Sequence, residues 1–273
     1  VDVSTIPGES GRVDPAEDGY VPDNDPVDYE GHGTFVAGLA GSAMDDGVGM
    51  AGVAPGIRLQ PVRVGWREEY VDPGTGRTVS GGFVAMSFCA QAIVYAADNG
   101  ARVLNCSWNS TETPELKAAL DYAIGTREVM VVDAAGNGGL STTQSQNYLS
   151  RRGDCLEVAA LDRAGQVSVA SSIGTWVDIS APGEKLLSLV KTGVSRLYRI
   201  HDPGATSFAA PLVSATAALV LSVEPGMTPA QLRAHPRQAR RRHDQPGPRP
   251  PGAGAGRARI DRGADRATAV DRR

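Results

Sequence analysis

Three short segments carry residue types that could cooperate in one reaction. His32 lies between two glycines in GHGTFVAGLAG, Asn137 lies in the glycine loop of VVDAAGNGG, and Ser207 follows Thr206 in GATSFAAPLVSATAALVL. Serine supplies a hydroxyl nucleophile, histidine a base that titrates near neutrality, and asparagine an amide donor for an oxyanion. Together these parts suit acyl transfer through a covalent intermediate. Singly, each has an ordinary structural reading: a packed histidine, an Asn-Gly turn, a serine at a helix start. The combination is what points to chemistry.

Such residues need elements to hold them, and the chain reads as alternating strands and helices. GIRLQPVRV is apolar at every second position, which predicts a strand, and the Gly-rich WREEYVDPGTGRTVSGG after it reads as a hairpin-like insertion. FVAMSFCAQAIVYAADNG has helical spacing and stops at Asn99-Gly100, where glycine tolerates the left-handed conformation. ARVLNC predicts the next strand. Thr113-Pro114-Glu115 reads as an N-cap, a first-turn proline and a first-turn acid opening a helix through Ile124, and EVMVV as the strand beyond it. Pro211 falls in the first turns of the Ser207 helix, where a missing N–H costs nothing. This order predicts an α/β fold with three layers: a mostly parallel sheet, helices on both faces, and functional residues at the carboxyl ends of strands.

Composition agrees with one large domain or two small ones, since 273 residues with 41% apolar content can bury a substantial core. No run of 18 apolar residues occurs, so no membrane span is expected. The last 39 residues hold 11 Arg against 4 Asp, whereas the preceding 234 hold 16 basic and 27 acidic residues. That tail is rich in Pro, Gly and Arg and is expected to be disordered. It lacks aromatics for base stacking, so no nucleic-acid partner is expected. Cys89, Cys106 and Cys155 are widely spaced and odd in number, which suits buried thiols better than a disulfide framework.

GHGT-x-VAG, AAGN and TS-x-AAP, in that order, resemble the subtilisin-like serine peptidases, or subtilases. GVAP, DNGARVLNCSW and VASSIGTWVDISAPG look like the same family's framework, and the resemblance covers about residues 1 to 234. The G-x-S-x-G signature of α/β-hydrolases is absent around Ser207. The resemblance implies a serine endopeptidase in which Ser207 is the nucleophile, His32 its general base and Asn137 the side-chain oxyanion donor. It further implies that Ser107-Trp108-Asn109 pairs with substrate backbone and that Ala134-Ala135-Gly136 forms the first specificity pocket. Trp108 also reads as plain core. Protein or peptide substrates, a monomer, a secreted or cell-surface location and no required cofactor are expected on the same basis.

The family's third catalytic residue is an Asp in D-[TS]-G, and VDVSTIPGESGRV does not supply that text. Either the acid and its strand precede Val1, which the match from that valine onward favours, or Asp2 serves; Asp14 and Asp28 are remoter candidates, Asp28 reading as surface or loop. Phe35 stands where many members carry a second His and is expected to pack in the core. Ala205 replaces a usual Gly and would be strained if that position needs positive φ. Asn109 replaces a frequent Gly. A structural calcium is conceivable at Asp45 and Asp46, though two acids fall far short of six or more ligands. TPAQLRA starts a final helix, after which residues 235–273 read as a shifted reading frame or, alternatively, a basic linker. The rival functional readings are a truncated or degenerate domain that binds peptides without cleaving them, and an acyl hydrolase acting on esters.

Overall fold

The structure, a computed structural model, describes residues 12–13, 26–71, 74–139, 147–191, 197–202 and 204–234. In chain order the elements are β1 (Arg12–Val13), α1 (His32–Gly41), β2 (Gly65–Val71), β3 (Thr78–Val84), α2 (Met86–Asp98), β4 (Val103–Cys106), α3 (Pro114–Gly125) and β5 (Met130–Ala134). There follow α4 (Tyr148–Arg151), β6 (Leu156–Leu161), β7 (Ile179–Pro182), β8 (Leu186–Val190), β9 (Leu197–His201) and α5 (Thr206–Val223). By its contacts the chain divides into Val1–Arg237 and Gln238–Arg273, and the second unit lies wholly outside the described residues. So do Asp2, Asp14 and the whole expected tail.

Strand β5 explains the layering. All five of its residues are buried, four of them apolar, as expected of a strand covered on both faces. Val131 faces Cys89, Ile93, Leu116 and Leu120 of α2 and α3, whereas Met130, Val132 and Ala134 face Ala209, Ala210 and Val213 of α5. Alternate side chains therefore enter cores on opposite sides of one sheet. That sheet is parallel, in the order β4-β5-β6-β7, so the expected three-layer α/β architecture is present. Two antiparallel hairpins flank it in sequence, β2 with β3 and β8 with β9, the first being the expected Gly-rich insertion. Among the described residues α5 is the one helix long and apolar enough to cross a membrane, and ten of its residues, Thr206 to Ala217, are buried in the protein core.

Local signals account for two helix starts. Thr113 Oγ1 accepts from Leu116 N at 3.2 Å, with Pro114 and Glu115 in the first turn of α3. Residues 229–234 are helical, and Thr228 and Gln231 close a reciprocal capping box at their head. All three cysteines are buried and unpaired.

Three expectations are corrected. Residues 57–64 form no strand: Pro61 lacks an N–H, Leu59 is exposed, and no described strand lies alongside to complete a ladder. The strand expected at EVMVV begins two residues later, because Glu128 takes a left-handed turn (φ 54). Ala205 is extended (φ −146, ψ 148) and so carries none of the strain that positive φ would impose.

Candidate active site

The chemistry-bearing segments meet where parallel strands end and two helices begin. Ser107 follows β4, Ala135 to Asn137 follow β5, and Ser207 is the second residue of α5. Reciprocal bonds tie the first and third: Ser107 Oγ donates to Ser207 O at 2.9 Å, and Ser207 Oγ donates to Ser107 O at 3.4 Å. Ser207 is buried except for 8% of its surface.

Asn137 connects the second segment to the same helix. Ala205 cannot cap α5, so a side chain distant in sequence does so: Asn137 Oδ1 accepts from Thr206 N at 2.8 Å and from Thr206 Oγ1 at 3.0 Å. Thr206 Oγ1 in turn accepts from Gly136 N at 3.1 Å. With Oδ1 committed to the helix, the Asn137 amide keeps Nδ2 as its remaining donor, and no described group accepts from it. Thr206 has no exposed surface and locks the loop to the helix.

His32 opens α1, which packs on α5 and β8. Small residues make that approach feasible; a Cβ on Gly38 would collide with Ser188 Oγ and crowd Leu189. The His32 ring lies 5.9 Å from that of Phe208, the residue after Ser207, and Phe35 packs against Phe208 at 4.6 Å, as expected for a core residue. No described hydrogen bond joins the imidazole to Ser207 Oγ, whose proton goes to Ser107 O. Reactive pairs often tighten only around substrate. Burial is the main influence on His32 and favours its neutral form. Glu30 and Asp28 push the other way, His201 adds to burial, and the net result is a pKa below the ordinary 6.5.

Asp28 lies in the loop before α1, as expected, but it is half-buried and its oxygens do not reach the imidazole. Its Oδ1 accepts from Glu30 N (3.1 Å) and Gly31 N (2.7 Å), and its Oδ2 from Thr34 N (2.6 Å) and Thr34 Oγ1 (2.7 Å). It therefore caps α1 and fixes the left-handed Gly31 (φ 99) just before His32. Burial would raise its pKa, but the donors from Gly31, Thr34 and Glu30 outweigh burial and hold it below 3.8. Asp28→Ala should lower stability by about 1–2 kcal/mol, read as a fall in Tm. A depressed carboxylate stabilises the fold above its unfolded pKa, so this contribution fades only as pH drops below about 4 through the folded value.

The remaining expected groove residues also gather here. Asn109 Oδ1 lies 4.0 Å from where a Cβ on Gly136 would stand, and Ser172 Oγ 3.5 Å, so the two expected walls approach each other at a glycine whose φ of 95° excludes other residues. Ala134 and Ala135 are buried. Trp108 is half-buried against the α2–α3 core, which favours its packing role. Asp45 and Asp46 occupy an exposed loop where Asp46 Oδ1 accepts from Val48 N. Among the described residues no three His, Cys, Asp or Glu gather to hold a metal. Sequence reading missed the capping role of Asp28, the bridging role of Thr206 and the contact of His201. The D-x-x-G text before His32 was the available signal for the first; the others depend on contacts between distant elements.

Comparison with known proteins gives one consistent result. A family model described as the subtilase family matches residues 5–254. The chain is 35% identical over 219 residues to the thermophilic serine proteinase of Bacillus sp. (strain AK1), covering 80% of this chain and 49% of that protein. It is 34% identical over 238 residues to fervidolysin of Fervidobacterium pennivorans, covering 80% and 32%. It is 33% identical over 253 residues to mycosin-3 of Mycobacterium tuberculosis, covering 76% and 54%. The chain thus spans roughly a third to a half of these curated relatives. A solved cold-adapted subtilisin-like serine proteinase superposes with a TM-score of 0.62 at 28% identity, over 78% of this chain and 68% of that one.

Proposed function

The chain belongs to the subtilase family, and on that premise we propose that it is a serine endopeptidase acting through an acyl-enzyme on Ser207. The observation that carries the reading is the junction at the head of α5: the nucleophile and a donor amide turned by its own cap meet at one helix start, and the half-buried His32, whose pKa burial lowers, packs its ring beside Phe208, the next residue.

The chemistry follows from those groups. Ser207 Oγ attacks the scissile carbonyl carbon while its proton passes to the neutral His32. The oxyanion is met by Asn137 Nδ2 and by the positive N-terminal end of α5. His32 then returns the proton to the departing amine, leaving an ester on Ser207. Water, deprotonated by the same imidazole, hydrolyses that ester and restores the serine. Ser107, Trp108 and Asn109 present an edge for the substrate backbone, opposite Ala134, Ala135 and Gly136. The acid that would orient His32 lies outside the described residues, with Asp2 among the candidates. Membership of the family supports a secreted or cell-surface location.

The bond from Ser207 Oγ to Ser107 O supports the rival reading, a groove that binds peptides without cutting them. Incubating the chain with a peptide library and sequencing the products separates the two: new termini that vanish with Ser207→Ala support cleavage, and an unaltered library with retained peptides supports binding alone. The pH dependence is a further expectation. Because burial holds His32 below 6.5, the acid limb of kcat/KM should have its midpoint below 6.5. Glu30→Gln removes a charge that favours imidazolium and should move that midpoint lower still.

A further inference from the structure

Directly behind the Ala134 wall, two carboxyl groups face each other inside the sheet. Asp133 on β5 and Glu157 on β6 are register partners, and both are buried. Few donors reach them. Ser150 Oγ lies 2.6 Å from Glu157 Oε2 and 3.1 Å from Asp133 Oδ2 and has one proton for either; Asn147 Nδ2 donates to Asp133 Oδ2 at 2.6 Å. Asp133 Oδ1 and Glu157 Oε1 have no hydrogen-bond partner.

The surroundings do not neutralise two charges. Arg233 favours ionised Glu157 from a distance, but its guanidinium pairs at 3.8 Å with Asp178, whose Oδ2 accepts from Glu157 N. On the same face of the sheet, the thiols of Cys106 and Cys155 are pushed upward by burial and by these same acids, and remain protonated. Two ionised carboxylates in such a site would be extremely costly, whereas one proton between them supplies the missing donor. Burial raises Asp133 well above its ordinary value and Glu157 to about 7; the hydrogen bond between the carboxyls raises the first and lowers the second. The pair therefore favours holding a proton, with Asp133 donating it towards Glu157.

Asn147 joins this pair to the groove. Its Nδ2 also approaches Ala134 O at 3.3 Å, and its Oδ1 accepts from Ser110 N at 2.7 Å and from Ser110 Oγ. Ser110 follows the Ser107–Asn109 segment, so one amide spans the two walls: one end holds Ser110, the other Asp133 and Ala134. The direction of its donor depends on a carboxyl whose neighbour changes charge.

We propose that Asp133 and Glu157 share a proton and, through Asn147, act as positioning residues that set the spacing of the groove walls, so that peptide affinity follows the protonation of the pair. This rests on the peptidase reading for the identity of the ligand. Ionising Glu157 adds a second buried charge, which competes for Ser150 and Asn147 and slackens the brace. Affinity should therefore be highest below pH 7 and fall above it. Fold stability has the same sign: a carboxyl raised in the folded state binds its proton there when the unfolded chain does not. The pair's contribution to stability is thus greatest below about pH 4.5 and declines as pH rises towards 7.

The test measures KM and kcat separately from pH 5.5 to 9 on the full chain with a peptide substrate. It also measures binding of a peptide with a reduced, uncleavable bond to Ser207→Ala. In the parent chain KM should rise about five- to tenfold across neutrality, the low end of couplings between linked sites, with kcat on its plateau. Glu157→Gln should hold the low KM at all pH values, whereas Glu157→Ala should raise it throughout. A KM step that persists unchanged in Glu157→Gln overturns the proposal. So does the lack of a protonated-carboxyl infrared band at neutral pH that Asp133→Asn removes, a readout of the parent chain that survives any misfolding of the Glu157 variants. Peptide binding with the pH step but without cleavage would sink the peptidase reading and support this one. Cleavage with a flat KM would do the reverse, and neither binding nor cleavage would sink both.

Discussion

Ser207→Ala should lower kcat for peptide hydrolysis by about 10⁶-fold while leaving the fold and peptide binding in place. The expected loss is this large because serine and histidine act as a unit: without the hydroxyl there is nothing for His32 to deprotonate. In a subtilisin the single losses of nucleophile or base cost about 2 × 10⁶, as much as losing the whole triad, and the same non-additivity is expected here. His32→Ala should match Ser207→Ala, and the double variant should be no worse. Alanine removes only a hydroxyl whose partner is Ser107 O at 3.4 Å, and Ser107 Oγ keeps its bond to the backbone carbonyl of residue 207, so the junction survives. Equal thermal unfolding of parent and variant beside the lost turnover would separate chemistry from folding. A Ser207→Ala chain that cleaved at the parent rate would remove Ser207 from the mechanism.

The second large effect is expected at Asn137. Removal of one oxyanion donor costs a subtilisin about 10²–10³-fold in kcat, and Asn137→Ala should fall in that range with KM little changed. Here the residue has a second duty, because its Oδ1 caps α5 through Thr206 N. The variant should therefore also lose about 1 kcal/mol of stability, as a helix does when its cap is removed. Thr206→Val separates the duties. It deletes the hydroxyl that bridges Asn137 and Gly136 but leaves Thr206 N bonded to Asn137, so it should lower stability with a much smaller loss of rate. Equal rate losses in the two variants would mean that Asn137 acts only through the helix.

What could be read directly from the chain was whatever is encoded within a few residues. The Thr113-Pro114-Glu115 start of α3, the apolar residues that open β5 and the small-residue faces of α1 and α5 each carry their own local reason. His32, Asn137 and Ser207 were legible as a set because their chemistry is complementary, although 175 positions separate the first from the last. Residues 57–64 failed for the opposite reason: alternation describes a strand only if a neighbour accepts its hydrogen bonds, and sequence periodicity does not report the neighbour.

The same limit hid the polar interior. Asp133 and Glu157 look like polar interruptions in VMVVDA and LEVAA, and only the pairing of β5 with β6 puts them face to face. The cap of α5 escaped notice because its residue comes from 69 positions earlier. Asp28 shows how charge can mislead. An acid four residues before a histidine suggests an exposed loop or a catalytic partner, yet its oxygens are filled by the donors of Glu30, Gly31 and Thr34.

The central claim is that Ser207 is a nucleophile activated by His32 at the head of α5. It is tested most directly by treating the purified chain with a fluorophosphonate probe and locating the adduct by mass spectrometry. The account predicts a single adduct on Ser207, absent from His32→Ala and from Ser207→Ala. An adduct on another serine, or an unlabelled chain that nevertheless cleaves peptides, would contradict it.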